Sequence, residues 1–220
     1  MRIRISQNDR GQIQQVAGIV KAGGVIIYPT DTLYGIGCDP FNAASVRRVL
    51  HIKRRGEKQL PILVSGKDKA RALVEVDATS LSLMKAFWPG ALMIVLRRRA
   101  EMPSELSFGR GKLGVRMPNH GLALRIIKAC GGALIGTSAN ISGNPPARSV
   151  EELDSRLERK VDLVIDGGSS TLGIASTVVE IGPPEEDRPA RVIAPNVRIL
   201  REGAISADVI RAKLLEGHGR

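Results

Sequence analysis

Two polar segments of this 220-residue sequence carry the side chains best suited to bind a small ligand. The first, residues 28–35, reads Tyr-Pro-Thr-Asp-Thr-Leu-Tyr-Gly and places a threonine hydroxyl on either side of an aspartate. The second, residues 136–143, offers Ser138 and Asn140 on one side of an extended chain. Glycines in both segments allow the backbone to approach a ligand closely, although turns favour the same residue types.

Basic residues indicate the charge of a partner. Residues 47–71 hold nine Lys or Arg against two acidic residues, and residues 97–116 hold six against two, which accounts for the net charge of +11. Such an excess favours an anion such as phosphate, a nucleotide or a nucleic acid, and a solvated basic surface remains the alternative. Lys53 and Arg55, at the end of a predicted helix, either complement its dipole or point into one site.

Several chemistries are excluded by what the sequence lacks. Cys38 and Cys130 have no zinc-ligand spacing, and the three histidines have no short metal-ligand spacing. Ser138 lacks the Gly-x-Ser-x-Gly elbow of many serine hydrolases, and neither common phosphate-loop motif occurs. Six aromatic residues are few for recognition of single-stranded nucleic acid. With no signal peptide and no membrane-length apolar run, we expect a cytoplasmic protein without membrane contact.

The elements that must position these residues alternate along the chain, which predicts an α/β domain with a mixed sheet. Helices are predicted near residues 13–20, 43–53, 79–87, 120–129, 149–158 and 206–215. Strands are predicted at residues 25–28, 62–64, 92–96, 113–116, 133–136, 161–165, 177–181, 191–193 and 197–200. Asn42 is a candidate helix cap, and Ser149 with Glu152 has the pattern of a capping box. Residues 29–42 and 137–148 remain as long loops, a feature typical of functional sites.

An ordered set of motifs resembles the YrdC-domain family, the L-threonylcarbamoyladenylate synthases. The motifs are Tyr-Pro-Thr-Asp-Thr-Leu-Tyr-Gly from Tyr28, Lys53-x-Arg55, Pro61–Val64, Trp88-Pro89-Gly90, Val115–Pro118, Ser138-Ala139-Asn140, Asp166–Gly168, Ser176–Val179 and Leu200–Gly203. The resemblance implies a twisted, mostly mixed β-sheet with flanking helices and a large basic cavity. It also implies one catalytic domain over residues 1–220.

The activity that the resemblance implies joins L-threonine, bicarbonate or CO2, and ATP into threonylcarbamoyl-AMP and pyrophosphate, with Mg²⁺. Downstream transferase machinery would then place the threonylcarbamoyl group on tRNA, and direct contact with tRNA stays open. A double-stranded RNA or tRNA-binding module without turnover is the alternative, motivated by the positive charge.

The resemblance also implies a role for individual residues. The expected L-threonine ligands are Thr30, Arg116, Ser138 and Ser176. The expected ATP ligands are Lys53, Arg55, Lys112, Ser138, Asn140, Arg148 and Arg201. Lys53 and Arg55 are expected to be catalytic, by offsetting the repulsion between a carbamate and a triphosphate. Metal ligands stay unassigned, and Asp31 is the nearest candidate metal ligand or proton acceptor. Residues 182–195 are expected to form a hairpin extension.

Overall fold

The computed structural model of the chain describes residues 1–6, 8–54, 60–99, 106, 111–183 and 190–216. Its helices are α1 (Arg10–Lys21), α2 (Ala43–Ile52), α3 (Lys67–Leu73), α4 (Ala78–Phe87), α5 (Gly121–Ala129), α6 (Ser155–Glu158) and α7 (Ala207–Glu216). Its strands are β1 (Arg2–Arg4), β2 (Ile26–Tyr28), β3 (Gly35–Gly37), β4 (Ile62–Val64), β5 (Leu92–Arg97), β6 (Lys112–Arg116), β7 (Ala133–Ile135), β8 (Thr137–Ser138), β9 (Leu163–Asp166), β10 (Thr177–Ile181), β11 (Arg191–Ala194) and β12 (Val197–Arg201).

These strands form two mixed sheets. One has the order β1-β9-β2-β3-β8, and the other has the order β11-β12-β10-β5-β6-β4-β7. In the first sheet β2 pairs in parallel with β9 and antiparallel with β3. In the second, β5 pairs in parallel with β10 and antiparallel with β6. The predicted α/β class and mixed pairing are confirmed, but the strands divide between two sheets where one was expected.

Apolar side chains on opposite faces of the strands produce the core. Helices α1 and α5 contact each other and bury one apolar cluster with β2 and β9, including Val16, Ile26 and Ile126. A larger cluster joins residues of both sheets with α2, α4 and α7, including Val64 and Val115. On β6 the buried apolar residues alternate with Lys112, Gly114 and Arg116, which therefore share the opposite face of the sheet.

The two motif loops contain short strands that pair with each other. Gly35 on β3 pairs with Ser138 on β8, so both polar segments lie at one sheet edge. A Cβ atom on Gly37 would lie 1.9 Å from the carbonyl oxygen of Ile135, so this approach requires glycine. A Cβ on Gly136 would lie 2.2 Å from a side-chain carbon of Leu63. The prediction that both segments lack regular structure is therefore wrong in part.

Local signals set several of the element boundaries. The Asn42 side chain accepts a 3.1 Å hydrogen bond from the backbone N–H of Ser45 at the start of α2, which confirms the predicted cap. The predicted helix over residues 149–158 forms only in its last four residues. Glu152 accepts the backbone N–H of Arg148 at 2.8 Å, and a four-residue helix begins later, at Ser155.

The late hairpin and four short elements complete the comparison with the expected elements. Strands β11 and β12 pair antiparallel, but of the two only β11 lies within residues 182–195. Residues 184–189 lie outside the described residues, so the hairpin extension expected at 182–195 stays a prediction. The sequence patterns did not predict β1, α3, β3 and β8. Each is short, and β1 forms through parallel pairing with β9, more than 150 residues away.

Candidate active site

A cavity of about 240 Å³ lies between the two sheets, beside the edge where β3 and β8 meet. This volume corresponds to roughly eight water molecules at about 30 Å³ each, which suits a ligand the size of an amino acid. Its polar lining includes Thr30, Thr32, Arg116, Thr137, Ser138, Ser176 and Arg201. Its apolar lining includes Leu63, Met93 and Val178. The cavity therefore offers hydroxyls and guanidinium groups against an apolar wall.

The segment after β2 supplies two hydroxyls held by a local network. The Thr30 hydroxyl donates to the carbonyl oxygen of Leu33 at 2.6 Å and lies 3.1 Å from the Thr32 hydroxyl. Tyr34, at the end of this turn, donates from its hydroxyl to the carbonyl oxygen of Gly168 at 2.7 Å. This turn is therefore fixed to the neighbouring loop before any ligand binds.

Arg116, at the end of β6, is the buried cation of the cavity. Its Nε–H donates to the carbonyl oxygen of Gly90 at 2.8 Å, one Nη donates to the Thr32 hydroxyl at 2.8 Å, and the other donates to Asp31. A guanidinium has five N–H donors. Two of them, one on each Nη, therefore have no partner among the described residues.

The charge state of Arg116 follows from its surroundings. Burial lowers the pKa of Arg116, and the neighbouring carboxylate of Asp31 opposes this shift. Arginine stays protonated in proteins, so the group enters the cavity as a cation paired with a carboxylate. Such a cation can bind a ligand carboxylate with two parallel hydrogen bonds.

Lys53 and Asn140 lie behind the cavity wall. The Lys53 ammonium donates to the carbonyl oxygen of Ser138, to that of Asn140 at 2.9 Å, and to Asn140 Oδ1 at 3.2 Å. The Ser138 hydroxyl also donates to Asn140 Oδ1, at 2.6 Å. Lys53 is only 2% exposed. The structure thus brings the predicted residues together, with Ser138 lining the cavity and the other two supporting its loop.

Ser176 and Arg201 form a second contact at the cavity. The guanidinium of Arg201 donates to the carbonyl oxygen of Ser176 at 2.8 Å and lies 3.3 Å from its hydroxyl. Gly203 follows closely, where a Cβ would lie 2.2 Å from the carbonyl oxygen of Ala175. Arg201, a predicted ATP ligand, therefore lies at the cavity.

Besides Lys53 and Asn140, two further predicted ATP ligands do not line the cavity. Lys112 donates to Glu180 at 2.9 Å, and Glu180 also accepts from Arg198, which forms a buried ionic triad. Lys112 shares a sheet face with Arg116, but four residues along a strand separate them by about 13 Å. Arg148 forms an exposed ion pair with Glu152 at 3.2 Å. The catalytic and ATP-binding prediction for Arg55 falls outside the described residues.

The two basic windows of the sequence contribute less to the cavity than expected. Arg71 and Arg97 form exposed ion pairs with Asp68 and Glu75. Of the described cations in those windows, Arg116 lines the cavity, and its charge is offset by a carboxylate. The large basic cavity therefore stays a prediction. The apolar wall was not predictable from local sequence patterns, because its residues come from three separate strands.

Neither a metal site nor a membrane segment is evident in the described part of the chain. Among the described residues, no cluster of three or more His, Cys, Asp or Glu side chains is placed to hold a metal ion. No described helix combines the length and apolar character needed to cross a membrane. His120 instead caps α5, since its Nδ1 accepts the backbone N–H of Ala123 at 3.3 Å.

Comparison with known proteins identifies the family. The family model for Sua5, YciO and YrdC proteins, described as "Telomere recombination", matches residues 18–203. The chain belongs to this family. The threonylcarbamoyl-AMP synthase of Halorhodospira halophila is 38% identical to it over 158 residues, which cover 71% of this chain and 83% of that protein. The resemblance seen in the ordered motifs of the sequence is thus confirmed.

Two solved structures of the Sua5/YciO/YrdC family show the same fold. Sua5 of P. abyssi, complexed with L-threonine, matches with a TM-score of 0.76 and 31% identity. That match covers 82% of this chain and 53% of the other, so the chain spans about half of that protein. YciO of E. coli matches with a TM-score of 0.80 and 27% identity, covering 96% and 98% of the two chains.

Proposed function

We propose that this protein is a threonylcarbamoyl-AMP synthase, which converts L-threonine, bicarbonate or CO2, and ATP into threonylcarbamoyl-AMP and pyrophosphate. The observation that carries the proposal is the cavity in which Arg116 keeps two N–H donors without a partner among the described residues. The name of the Halorhodospira relative and the L-threonine in the P. abyssi Sua5 structure support the same function.

The shape and chemistry of the cavity suit a small zwitterion with a methyl group. The two remaining N–H donors of Arg116 match an α-carboxylate. Hydroxyls of Ser138 and Ser176 offer partners to a substrate amine and hydroxyl, and Met93 and Val178 provide apolar contact for a methyl group. Because the cavity holds about the volume of an amino acid, ATP would extend from its open side, near Arg201.

The reaction needs positioning more than a protein nucleophile. The threonine nitrogen forms a bond to CO2, free or released from bicarbonate, and loses a proton to give a carbamate. A carbamate oxygen then forms a bond to the α-phosphorus of ATP, and pyrophosphate leaves with the electron pair of the broken P–O bond. Both partners are anions, so fixed cations and orientation lower the barrier.

The cations proposed for this task come from several segments. Arg116 would hold the carboxylate, and Arg201 at the cavity would face the nucleotide. Lys53 would act through the loop that carries Ser138, to which its ammonium donates. Mg²⁺ would enter as part of the Mg–ATP substrate and offset phosphate charge. Contacts of ATP with Arg55, Lys112 and Arg148 stay predictions, as do a cytoplasmic location and a downstream transferase.

Pyrophosphate release by the purified protein tests the proposal. With ATP, Mg²⁺, L-threonine and bicarbonate all present, we expect release that falls to background when any one of them is omitted. Arg116→Gln should raise the KM for L-threonine, whereas Arg156→Gln, which removes a guanidinium from a surface ion pair with Asp154, should not. Absence of threonine-dependent release, combined with salt-resistant binding of tRNA, would favour the RNA-binding alternative instead.

A further inference from the structure

Asp31 lies next to the cavity without lining it. Its neighbours Thr30 and Thr32 form part of the cavity wall, whereas its carboxylate contacts the guanidinium of Arg116. The two paired side chains are only 4% and 5% exposed. A buried carboxylate of this kind restricts the orientation of the cation it holds, because the pair loses much of its attraction when the geometry changes.

Three contacts fix the Arg116 guanidinium, and they differ in strength. The carbonyl oxygen of Gly90 and the hydroxyl of Thr32 are neutral acceptors, each at 2.8 Å. Asp31 alone carries an opposite full charge, so its contact adds the Coulomb attraction of a buried ion pair to the hydrogen bond. Asp31 therefore contributes most to the direction in which the two remaining N–H donors point.

The backbone of Asp31 also fixes the loop that completes the cavity. Its carbonyl oxygen accepts the backbone N–H of Leu172 at 2.9 Å and the hydroxyl of Thr171 at 3.2 Å. Four residues after Leu172, the same loop brings Ser176 to the cavity. One residue thus connects the guanidinium on one wall with the segment that carries a hydroxyl on another.

We infer that Asp31 is a positioning residue, which holds Arg116 in the orientation that receives the carboxylate of the amino-acid substrate. This inference rests on the proposed function, and it gives Asp31 no part in the chemical step. It replaces the earlier expectation of a metal ligand or proton acceptor. The second carboxylate oxygen, Oδ2, is buried and accepts no hydrogen bond from any described residue, so the paired oxygen carries the contact with Arg116.

Steady-state kinetics of Asp31→Asn test the inference. Asparagine keeps the shape and one oxygen acceptor but removes the charge, so we expect the KM for L-threonine to rise roughly tenfold, as loss of a charged hydrogen bond predicts. The KM for ATP and the kcat should stay within about twofold of wild type, because Asp31 acts only through Arg116. Asp68→Asn makes the same change at a 98% exposed carboxylate and should alter none of these constants.

Asp31→Glu provides a second variant that keeps the buried charge paired. Because the charge stays paired, the protein should fold. The glutamate carboxylate reaches one methylene further, so it should displace the guanidinium and again raise the KM for L-threonine. Thermal unfolding of both variants verifies that the fold is retained, and Asp31→Glu carries the test if Asp31→Asn does not fold.

The outcomes separate this inference from the proposed function. A wild-type protein without threonine-dependent pyrophosphate release refutes the function itself. An active wild type with an unchanged KM for L-threonine in the folded Asp31 variants overturns only the positioning role. A fall in kcat at unchanged KM would also overturn it, because that result assigns Asp31 to the chemical step.

Discussion

Replacing Lys53 with methionine tests how the loop that carries Ser138 is held. The Lys53 ammonium is buried and donates to the carbonyl oxygens of Ser138 and Asn140 and to Asn140 Oδ1. The backbone N–H of Ser142 in turn donates to the carbonyl oxygen of Lys53 at 3.1 Å. Methionine fills a similar volume but has no donor, so the variant leaves three part-buried acceptors without their cation.

The size of the effect follows from these contacts. A hydrogen bond to a charged group contributes about 1.5–3 kcal/mol, and the contacts share one ammonium, so their contributions do not add fully. We therefore expect Lys53→Met to lower the free energy of unfolding by about 3 kcal/mol. At about 2–4 °C per kcal/mol for a domain of this size, Tm should fall by about 6–12 °C.

Urea unfolding followed by circular dichroism measures this change. Lys213→Met serves as the control, because Lys213 pairs with Glu216 at the surface of α7 and should contribute less than about 0.5 kcal/mol. A free energy of unfolding for Lys53→Met within 0.5 kcal/mol of wild type would refute the structural role of Lys53. The folded variant should also lose most of its turnover, because Ser138 would no longer be fixed.

Three further predictions concern the framework around the cavity. Gly37→Ala should lower the free energy of unfolding by at least about 2 kcal/mol in urea titrations, because its Cβ would meet the carbonyl oxygen of Ile135. Glu180→Gln should lower it by about 3–5 kcal/mol, because two buried cations lose their carboxylate. Burial lowers the pKa of His120 below 6.5, so the unfolded state binds protons more readily and stability should fall as the pH drops below about 6.5. His120→Asn keeps a capping acceptor and should make the urea midpoint less dependent on pH between pH 7.5 and pH 5.5.

A specific measured outcome would contradict each of these three predictions. Gly18→Ala, inside α1 with open space around its Cβ position, should not lower stability, because alanine favours a helix more than glycine does. An equal loss in both glycine variants would contradict the argument from close approach. A Glu180→Gln protein as stable as wild type would show that Lys112 and Arg198 do not depend on the charge of this carboxylate. An equally steep pH dependence in His120→Asn would assign the titration to other groups.

Local patterns in the sequence predicted the elements whose signals are local. The Asn42 cap and the helix that follows it depend on residues three to four positions apart, as does the apolar face of α1. The β-branched run before Tyr28 predicted β2 for the same reason. These elements were predictable because neighbouring residues contain the information that defines them.

Elements and contacts that depend on distant residues were not predictable in this way. Strands β3 and β8 are short and rich in glycine and small polar residues, and they form because Gly35 pairs with Ser138, about 100 residues away. Likewise, the family resemblance implied that Lys112 contacts a nucleotide, but Glu180, 68 residues further along the chain, accepts a hydrogen bond from its ammonium. Charge counted along a sequence does not reveal which cations have buried partners.

The candidate site contains residues that the motifs predicted and contacts that the sequence could not reveal. The motifs predicted that Thr30, Arg116, Ser138 and Ser176 would meet, and the structure brings all four to one cavity. The role of Asp31 in holding Arg116, and the apolar wall opposite, depend on pairing between strands and could be seen only in three dimensions.

Mass spectrometry with labelled bicarbonate tests the central claim most directly. The purified protein would be incubated with ATP, Mg²⁺, L-threonine and ¹³C-bicarbonate, and the products separated without acid. We predict a nucleotide with the mass of AMP joined to threonine through one ¹³C carbonyl group, absent when L-threonine is omitted. ATP hydrolysis without any such labelled adduct, from a folded protein that retains its cavity, would contradict the account.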